Sequence, residues 1–147
     1  MKQLTTTIDI AAPLDAVWAA LTDLPRHAEW NPFITDASGS VQVGERLEVR
    51  LSPPGGKPMT FRPRVTAVVA GRTIEWRGRL VLPGLFTGRH RFELHPIDTG
   101  TRLVQSEVFT GVLVPFLARQ LDAHTLPGFV AMNEALKVRV EHALVSG

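Results

Sequence analysis

Two segments of alternating character, residues 86–96 (FTGRHRFELHP) and 101–112 (TRLVQSEVFTGV), flank the turn-forming Ile97-Asp98-Thr99-Gly100. No other feature constrains the fold as tightly. A period of two is the signature of a strand, and a short turn makes two such strands antiparallel neighbours. Closing the hairpin on that four-residue loop sets Pro96 opposite Thr101, Leu94 opposite Leu103, Phe92 opposite Gln105 and His90 opposite Glu107. A slip of one residue would turn every one of these side chains to the other face. The face that carries Phe92, Leu94, Leu103 and Phe109 therefore also carries an imidazole and a carboxylate. Polar groups on an apolar face need partners, and such pairs mark ligand cavities and catalytic sites as well as structural cores.

The register extends backwards along the chain. A three-residue turn at residues 82–84 sets His90 opposite Trp76, Phe92 opposite Ile74 and Leu80 opposite Phe86. A two-residue turn at Ala70-Gly71 puts Val65 opposite Trp76 and Ala67 opposite Ile74. The inner face then reads Phe61, Val65, Ile74, Trp76, Leu80, Phe86, His90, Phe92, Gln105, Glu107 and Phe109, with Gly78 and Gly88 leaving bare patches for a ligand. Pro63 has no ladder donor, so an edge or a bulge is expected there. The outer face carries Arg62, Arg64, Arg77, Arg79 and Arg89, with Arg62 facing Arg79 and Arg64 facing Arg77. That arrangement reads as a solvated face neutralised by Glu75 and Glu93, or as a surface for an acidic partner.

The remaining segments complete an α+β pattern. Residues 3–10 read as a first strand. Leu14, Val17, Trp18 and Leu21 form an amphipathic stripe that follows Pro13, and a second short helix spans about residues 24–29 before Trp30-Asn31-Pro32. Strands are expected at 33–38, 46–51, 61–69, 73–81, 86–96 and 101–112. The last segment, residues 114–145, is helical with a kink or a split at Pro127-Gly128. Its stripe of Phe129, Met132, Leu136 and Val140, with Asn133 beside it, is the one element large enough to cover an antiparallel sheet of about seven strands.

A chain of 147 residues supports one domain with one core, expected over 1–147. A net charge of +2 is too small for a dedicated nucleic-acid binder, so no nucleic acid is expected as a partner. Cysteine is absent, which removes disulfides, thiolate metal sites and cysteine nucleophiles. His90 and His95 have opposite parity on one strand, and His27, His124 and His142 show no ligand spacing, so no metal site is expected. There is no phosphate loop, dinucleotide fingerprint or nucleophile elbow. The N-terminal MKQLTTTIDI lacks a signal-peptide run, and no apolar stretch is long enough to span a bilayer. The expectation is a cytoplasmic protein without membrane insertion, a monomer or homodimer.

Ile10-Ala11-Ala12-Pro13 with Val17-Trp18, then Leu21-Thr22-Asp23 leading to Trp30-Asn31-Pro32-Phe33, then Gly39 and Gly44, open a pattern that Trp76-Arg77-Gly78 and His90 with Phe92 continue. Residues 107–111 (EVFTG) and the terminal Phe129, Met132-Asn133, Leu136-Lys137 and Glu141 complete it. This pattern resembles the SRPBCC superfamily, the helix-grip fold of START domains and birch-allergen-like proteins, and more narrowly its polyketide cyclase/dehydrase branch. The resemblance implies a curved antiparallel sheet gripping the long helix around a hydrophobic cavity. Two features depart from it. The nearest counterpart of the allergen branch's glycine-rich loop is residues 52–58 (SPPGGKP), and the chain contains no tyrosine.

The function these residues imply is binding of a small hydrophobic or amphipathic ligand, lipid- or polyketide-like, between sheet and C-terminal helix, with no cofactor. The ligand would enter beside Trp30, Phe33, Leu85 and Phe86 and lie against Val65, Trp76, Phe92, Phe109, Phe129, Met132 and Leu136. His90, Gln105, Glu107 and Asn133 would meet its polar group. The alternative is a cyclase or dehydratase in which His90, assisted by Glu107, moves a proton on an enolisable substrate. The bland reading is a satisfied buried pair.

Overall fold

The computed structural model describes residues 1–79 and 84–146. Strand β1 (Lys2–Ile10) leads into α1 (Leu14–Thr22), a single 3-10 turn (Leu24–Arg26) and α2 (His27–Trp30). Seven strands follow: β2 (Ile34–Ser38), β3 (Glu48–Leu51), β4 (Met59–Phe61), β5 (Arg64–Val69), β6 (Thr73–Arg79), β7 (Thr87–Ile97) and β8 (Gly100–Thr110). Helix α3 (Val114–Gln120), a π-helical turn (Leu121–Thr125) and α4 (Leu126–Ser146) complete the chain. The result is the expected α+β helix-grip architecture, an antiparallel sheet wrapped on a long C-terminal helix.

The β7–β8 hairpin forms in the register the alternation predicts, His90 to Glu107 and Phe92 to Gln105 included, but on a tighter turn. Ile97 pairs with Gly100, so Asp98 and Thr99 alone make the turn rather than four residues. Trp76 faces His90, and Ile74 faces Phe92, as expected. Between β5 and β6 the endpoints agree and the path differs. Val65 still faces Trp76, but Val68, not Ala67, faces Ile74. The turn has one residue more than expected, and a bulge between Val65 and Ala67 restores the parity. Leu80, the end of the 73–81 segment and residues 82–83 of its turn lie outside the described residues.

Pro63 explains why eight strands appear in two sheets. It divides the expected 61–69 strand into β4 and β5, since proline has no N–H to give a ladder. The five-stranded sheet runs β1-β8-β7-β6-β5 and the three-stranded sheet β2-β3-β4. Residues 44–47 stitch them together: Gly44 N–H donates to Val65 O, Leu47 N–H to Pro63 O and Val65 N–H to Glu45 O, each at 2.9 Å. A consequence for the outer face is that Arg62 does not stand opposite Arg79. Its guanidinium instead pairs with Glu48 of β3 at 3.2 Å.

Phe129, Met132, Leu136 and Val140 of α4 are buried against Phe92, Leu94 and Leu103 of the hairpin. Full burial of such side chains stabilises by about 1.5–3 kcal/mol each. The helix does not break at Pro127-Gly128. The π turn ends at Thr125, two residues before Pro127, and α4 continues through the proline. A widened turn there leaves room for a ring that would otherwise strike the preceding turn. Gly128 has a separate role. A Cβ there would lie 2.3 Å from Phe33 Cδ1, so the missing side chain is what lets the Phe33 ring reach Phe129 in an edge-on contact with centroids 5.6 Å apart. At the other end, Glu141 accepts from Ala11 N–H at 2.8 Å and pairs with Lys137, which holds the helix to the end of β1.

A second buried knot shapes the passage from α2 to β2. His27 Nε2–H donates to Leu21 O at 2.8 Å, and its Nδ1 accepts from Asn31 Nδ2 at 3.0 Å. Asn31 Oδ1 accepts from the Phe33 and Ile34 amides, both at 2.9 Å. The ring is thus held neutral. Burial lowers its pKa below the ordinary 6.5, more than the Leu21 carbonyl and Asp23 raise it.

Gly128→Ala is expected to destabilise the fold by roughly 1–3 kcal/mol through overpacking against Phe33, read as a lowered urea midpoint. A depressed folded-state pKa means that the unfolded chain binds the extra proton more readily. His27 therefore contributes stability that is present above about pH 6.5 and lost as pH falls. His27→Gln should flatten the decline in urea midpoint between about pH 7 and pH 5. A decline as steep as in the parent would refute this role.

Candidate functional site

The site begins with β7 and β8, whose register brings His90, Gln105 and Glu107 onto the face beneath α4. His90 is 4% exposed, stacked on Trp76 with centroids 5.4 Å apart and edge-on to Phe129 at 4.9 Å. Both its nitrogens face oxygens: Nδ1 is 3.1 Å from Glu107 Oε1 and Nε2 is 2.9 Å from Gln105 Oε1. Beyond Gln105 the network crosses to the helix. Gln105 Nε2 donates to Asn133 Oδ1 at 2.7 Å, and Asn133 Nδ2 donates to the Thr6 hydroxyl of β1 at 2.8 Å.

Backbone carbonyls set the direction of this network. Thr6 Oγ1 donates to Gln105 O at 3.2 Å, so it must accept from Asn133. Gln105 Nε2 also points at Phe129 O, which can only accept. With both amides so oriented, Gln105 presents its oxygen to His90, and Nε2 of His90 carries a hydrogen. The Nδ1–Glu107 contact then needs one proton between its two atoms. That proton sits on Nδ1, giving imidazolium and carboxylate, or on Oε1, giving two neutral groups. Among the described residues, no buried side-chain nitrogen or oxygen is left without a partner.

Glu107 Oε2 points the other way. It takes no hydrogen bond from the described residues, and Gly88 makes its place, because a Cβ there would lie 2.2 Å from it. Glu107 lines a cleft of about 170 Å³. Leu51 of β3 and Met59, Thr60 and Phe61 of β4 form one wall. Gly78 and Arg79 of β6, together with Phe86, Gly88 and Phe109, form the floor; Leu121 and Thr125 of the π turn close the helix side. His124 of the same turn donates from Nδ1–H to Pro54 O at 2.8 Å. The 52–58 loop is thereby tied to the helix beside the cleft.

Of the residues that the sequence places on the inner face, Phe61, Gly78, Phe86, Gly88, Glu107 and Phe109 line this cleft. Phe33, Val65, Trp76, His90, Phe92, Gln105, Phe129, Met132, Asn133 and Leu136 are buried and do not line it. His90 reaches it only through Glu107. Trp30 lies elsewhere, packed on His27 with ring centroids 4.7 Å apart and bordering an open groove on the outer side of α4 with Ala135, Val138 and His142. The short α2 turns its indole away from the sheet, so Trp30 does not stand at this cleft's mouth. The sequence reading missed Leu51, Met59, Thr60, Arg79, Leu121 and Thr125. Met59 and Thr60 were hidden in a proline- and glycine-rich stretch, and the π turn has no local signal other than Pro127 after it.

On the outer face, Arg64 pairs with Arg77, and Arg77 with Arg89, while Arg46 bridges Arg64. Glu75 compensates Arg89 at 3.6 Å and Arg91 at 3.4 Å. Among the described residues there is no group of three potential metal ligands, and no helix is long and apolar enough to cross a membrane.

Solved structures share this fold. The aromatase/cyclase Zhui of Streptomyces sp. R1128 superposes with a TM-score of 0.78 at 22% identity, over 97% of this chain and 95% of that one. A protein of the dynemicin biosynthetic locus gives 0.72 at 20% identity, over 96% of this chain and 48% of that one. A protein of Mesorhizobium loti gives 0.71 at 22% identity, over 94% and 98%. No curated protein matches the sequence. Residues 1–141 match the family described as polyketide cyclase / dehydrase and lipid transport, and the chain belongs to that family.

Proposed function

We propose that the protein binds a small hydrophobic or amphipathic molecule in the cleft between sheet and helix. One observation carries this reading: an apolar cleft that ends on a single carboxylate oxygen, with glycines at Gly78 and Gly88 where the strand alternation calls for inward side chains. Glycine weakens a strand interior, so two on one inner face signify room that is used. A cleft of about 170 Å³ lies below the range for drug-sized ligands and suits one or two rings rather than a whole lipid. Desolvating such a body stabilises the complex at about 25 cal/mol per Å². Family membership and the shared fold with an aromatase/cyclase support a polyketide-like ligand.

The His90–Glu107 contact favours a second reading, an acid/base enzyme of the cyclase or dehydratase kind. The geometry assigns the roles differently from the sequence expectation. Glu107 would touch the substrate and exchange the proton, and His90 behind it would take up or return that proton at Nδ1.

Gly78→Val tests the binding reading. A Cβ at this position would meet Phe61 at 3.4 Å and Pro63 at 3.9 Å, ordinary contact distances, so the strand accepts it while the added methyls fill the cleft. The expected result is an unchanged thermal midpoint with at least tenfold weaker binding of a naphthalene-type fluorescent probe, or loss of a co-purified apolar molecule from native mass spectra. Undiminished binding would place the ligand elsewhere. His90→Gln separates the two readings. Loss of its buried bonds should lower stability by roughly 1–3 kcal/mol. A binding protein keeps its ligand affinity within a few-fold in that variant, whereas an enzyme keeps affinity and loses turnover of whatever substrate the bound molecule reveals.

A further inference from the structure

The proton arithmetic of the buried network fixes what kind of ligand the cleft can accept, an inference that rests on the cleft being the binding site. Nε2 of His90 is committed to Gln105, and one proton lies between Nδ1 and Glu107 Oε1. Whichever of those two atoms holds it, the outer oxygen of Glu107 holds none. It is a carboxylate oxygen in one arrangement and a carbonyl oxygen in the other, and in both it can only accept. Moving the proton to Oε2 would leave two lone pairs facing each other at the 3.1 Å His90 contact. Adding a second proton would leave a net positive charge on the buried pair, which burial opposes.

We infer that the cleft selects apolar ligands that bring a hydrogen-bond donor, a phenol or alcohol hydroxyl, to Glu107 Oε2. The partner is a neutral hydroxylated ring compound. A ketone or nitrile oriented the same way would set acceptor against acceptor. Thr60 and Thr125 also line the cleft, but their hydroxyls can donate or accept and impose no sign of their own. Arg79 lines it too and is exposed, so it serves a ligand's outer end and not the end at Glu107.

The pair of substitutions at Glu107 that tests this gives opposite results. In Glu107→Gln, the amide NH₂ donates to the free Nδ1 lone pair of His90, and the amide oxygen is left facing the cleft. The acceptor survives without any charge. In Glu107→Leu it is gone. The probes are β-naphthol, β-methylnaphthalene and β-naphthonitrile, which share one apolar body and differ in carrying a donor, neither group, or an acceptor alone. Titration calorimetry should show β-naphthol binding about tenfold tighter than the other two in the parent and in Glu107→Gln. In Glu107→Leu that advantage should vanish while β-methylnaphthalene still binds. The inference is overturned if the nitrile equals the naphthol in the parent, or if Glu107→Gln loses the naphthol preference. If none of the three binds the parent, the cleft itself is not the site, and the inference falls with it.

Discussion

A directed chain of buried hydrogen bonds joins the five-stranded sheet to the long C-terminal helix. From the Thr6 hydroxyl on β1 through Asn133 on α4 to Gln105 and His90 Nε2 on the hairpin, each polar group has one workable role, because backbone carbonyls define where the donors must be. The chain ends on the single proton shared by His90 and Glu107. Apolar packing under α4 supplies most of the stabilisation but would tolerate a helix shifted along its axis. The polar chain would not. A shift that unmade one bond would strand buried donors and acceptors, each at a cost of about 1–3 kcal/mol. The helix is therefore placed by polar contacts and held by apolar ones, and the position of Glu107 at the cleft follows from that placement.

Much of this was legible in the sequence for a plain reason: parity. Alternation in residues 86–96 and 101–112 determines which side chains share a face regardless of how the turn closes, so His90 met Glu107 even though the turn is two residues rather than four. The same robustness held at β5, where a longer turn and a bulge cancelled. Asn133 was placed toward the sheet by its helical phase, and Gln105 by its strand phase. What sequence could not provide was depth. Parity puts His90, Trp76 and Phe92 on the inner face without telling which of them meets open space. That was decided by Gly88, which gives Glu107 its room, and by the π turn, which brings Leu121 and Thr125 over the sheet.

Two residues were legible as anomalies rather than as elements. Pro63 was marked as awkward in a strand, and the structure spends that awkwardness on dividing one sheet into two, with residues 44–47 bridging the gap. Pro127 signals a kink or a split in the last helix, and the irregularity lies just upstream of it, in the π turn. In both cases a proline imposes an irregular backbone, through its missing N–H at Pro63 and its ring at Pro127, and both irregularities adjoin the cleft wall. The regular elements carry the fold, and the irregular ones give the cavity its shape.

The arginine row on the outer face has a consequence of another kind. Arg46, Arg64, Arg77 and Arg89 stand side by side across neighbouring strands, with Glu75 the acid that answers the last of them. Like charges in register oppose the pairing that holds β5, the edge strand that also anchors the small sheet. Dissolved ions relieve that opposition, since exposed charges are screened over about 8 Å at physiological ionic strength. Stability at this edge should thus rise with added salt instead of falling, and the attachment of the small sheet, which forms one wall of the cleft, becomes a property of the solution as well as of the chain.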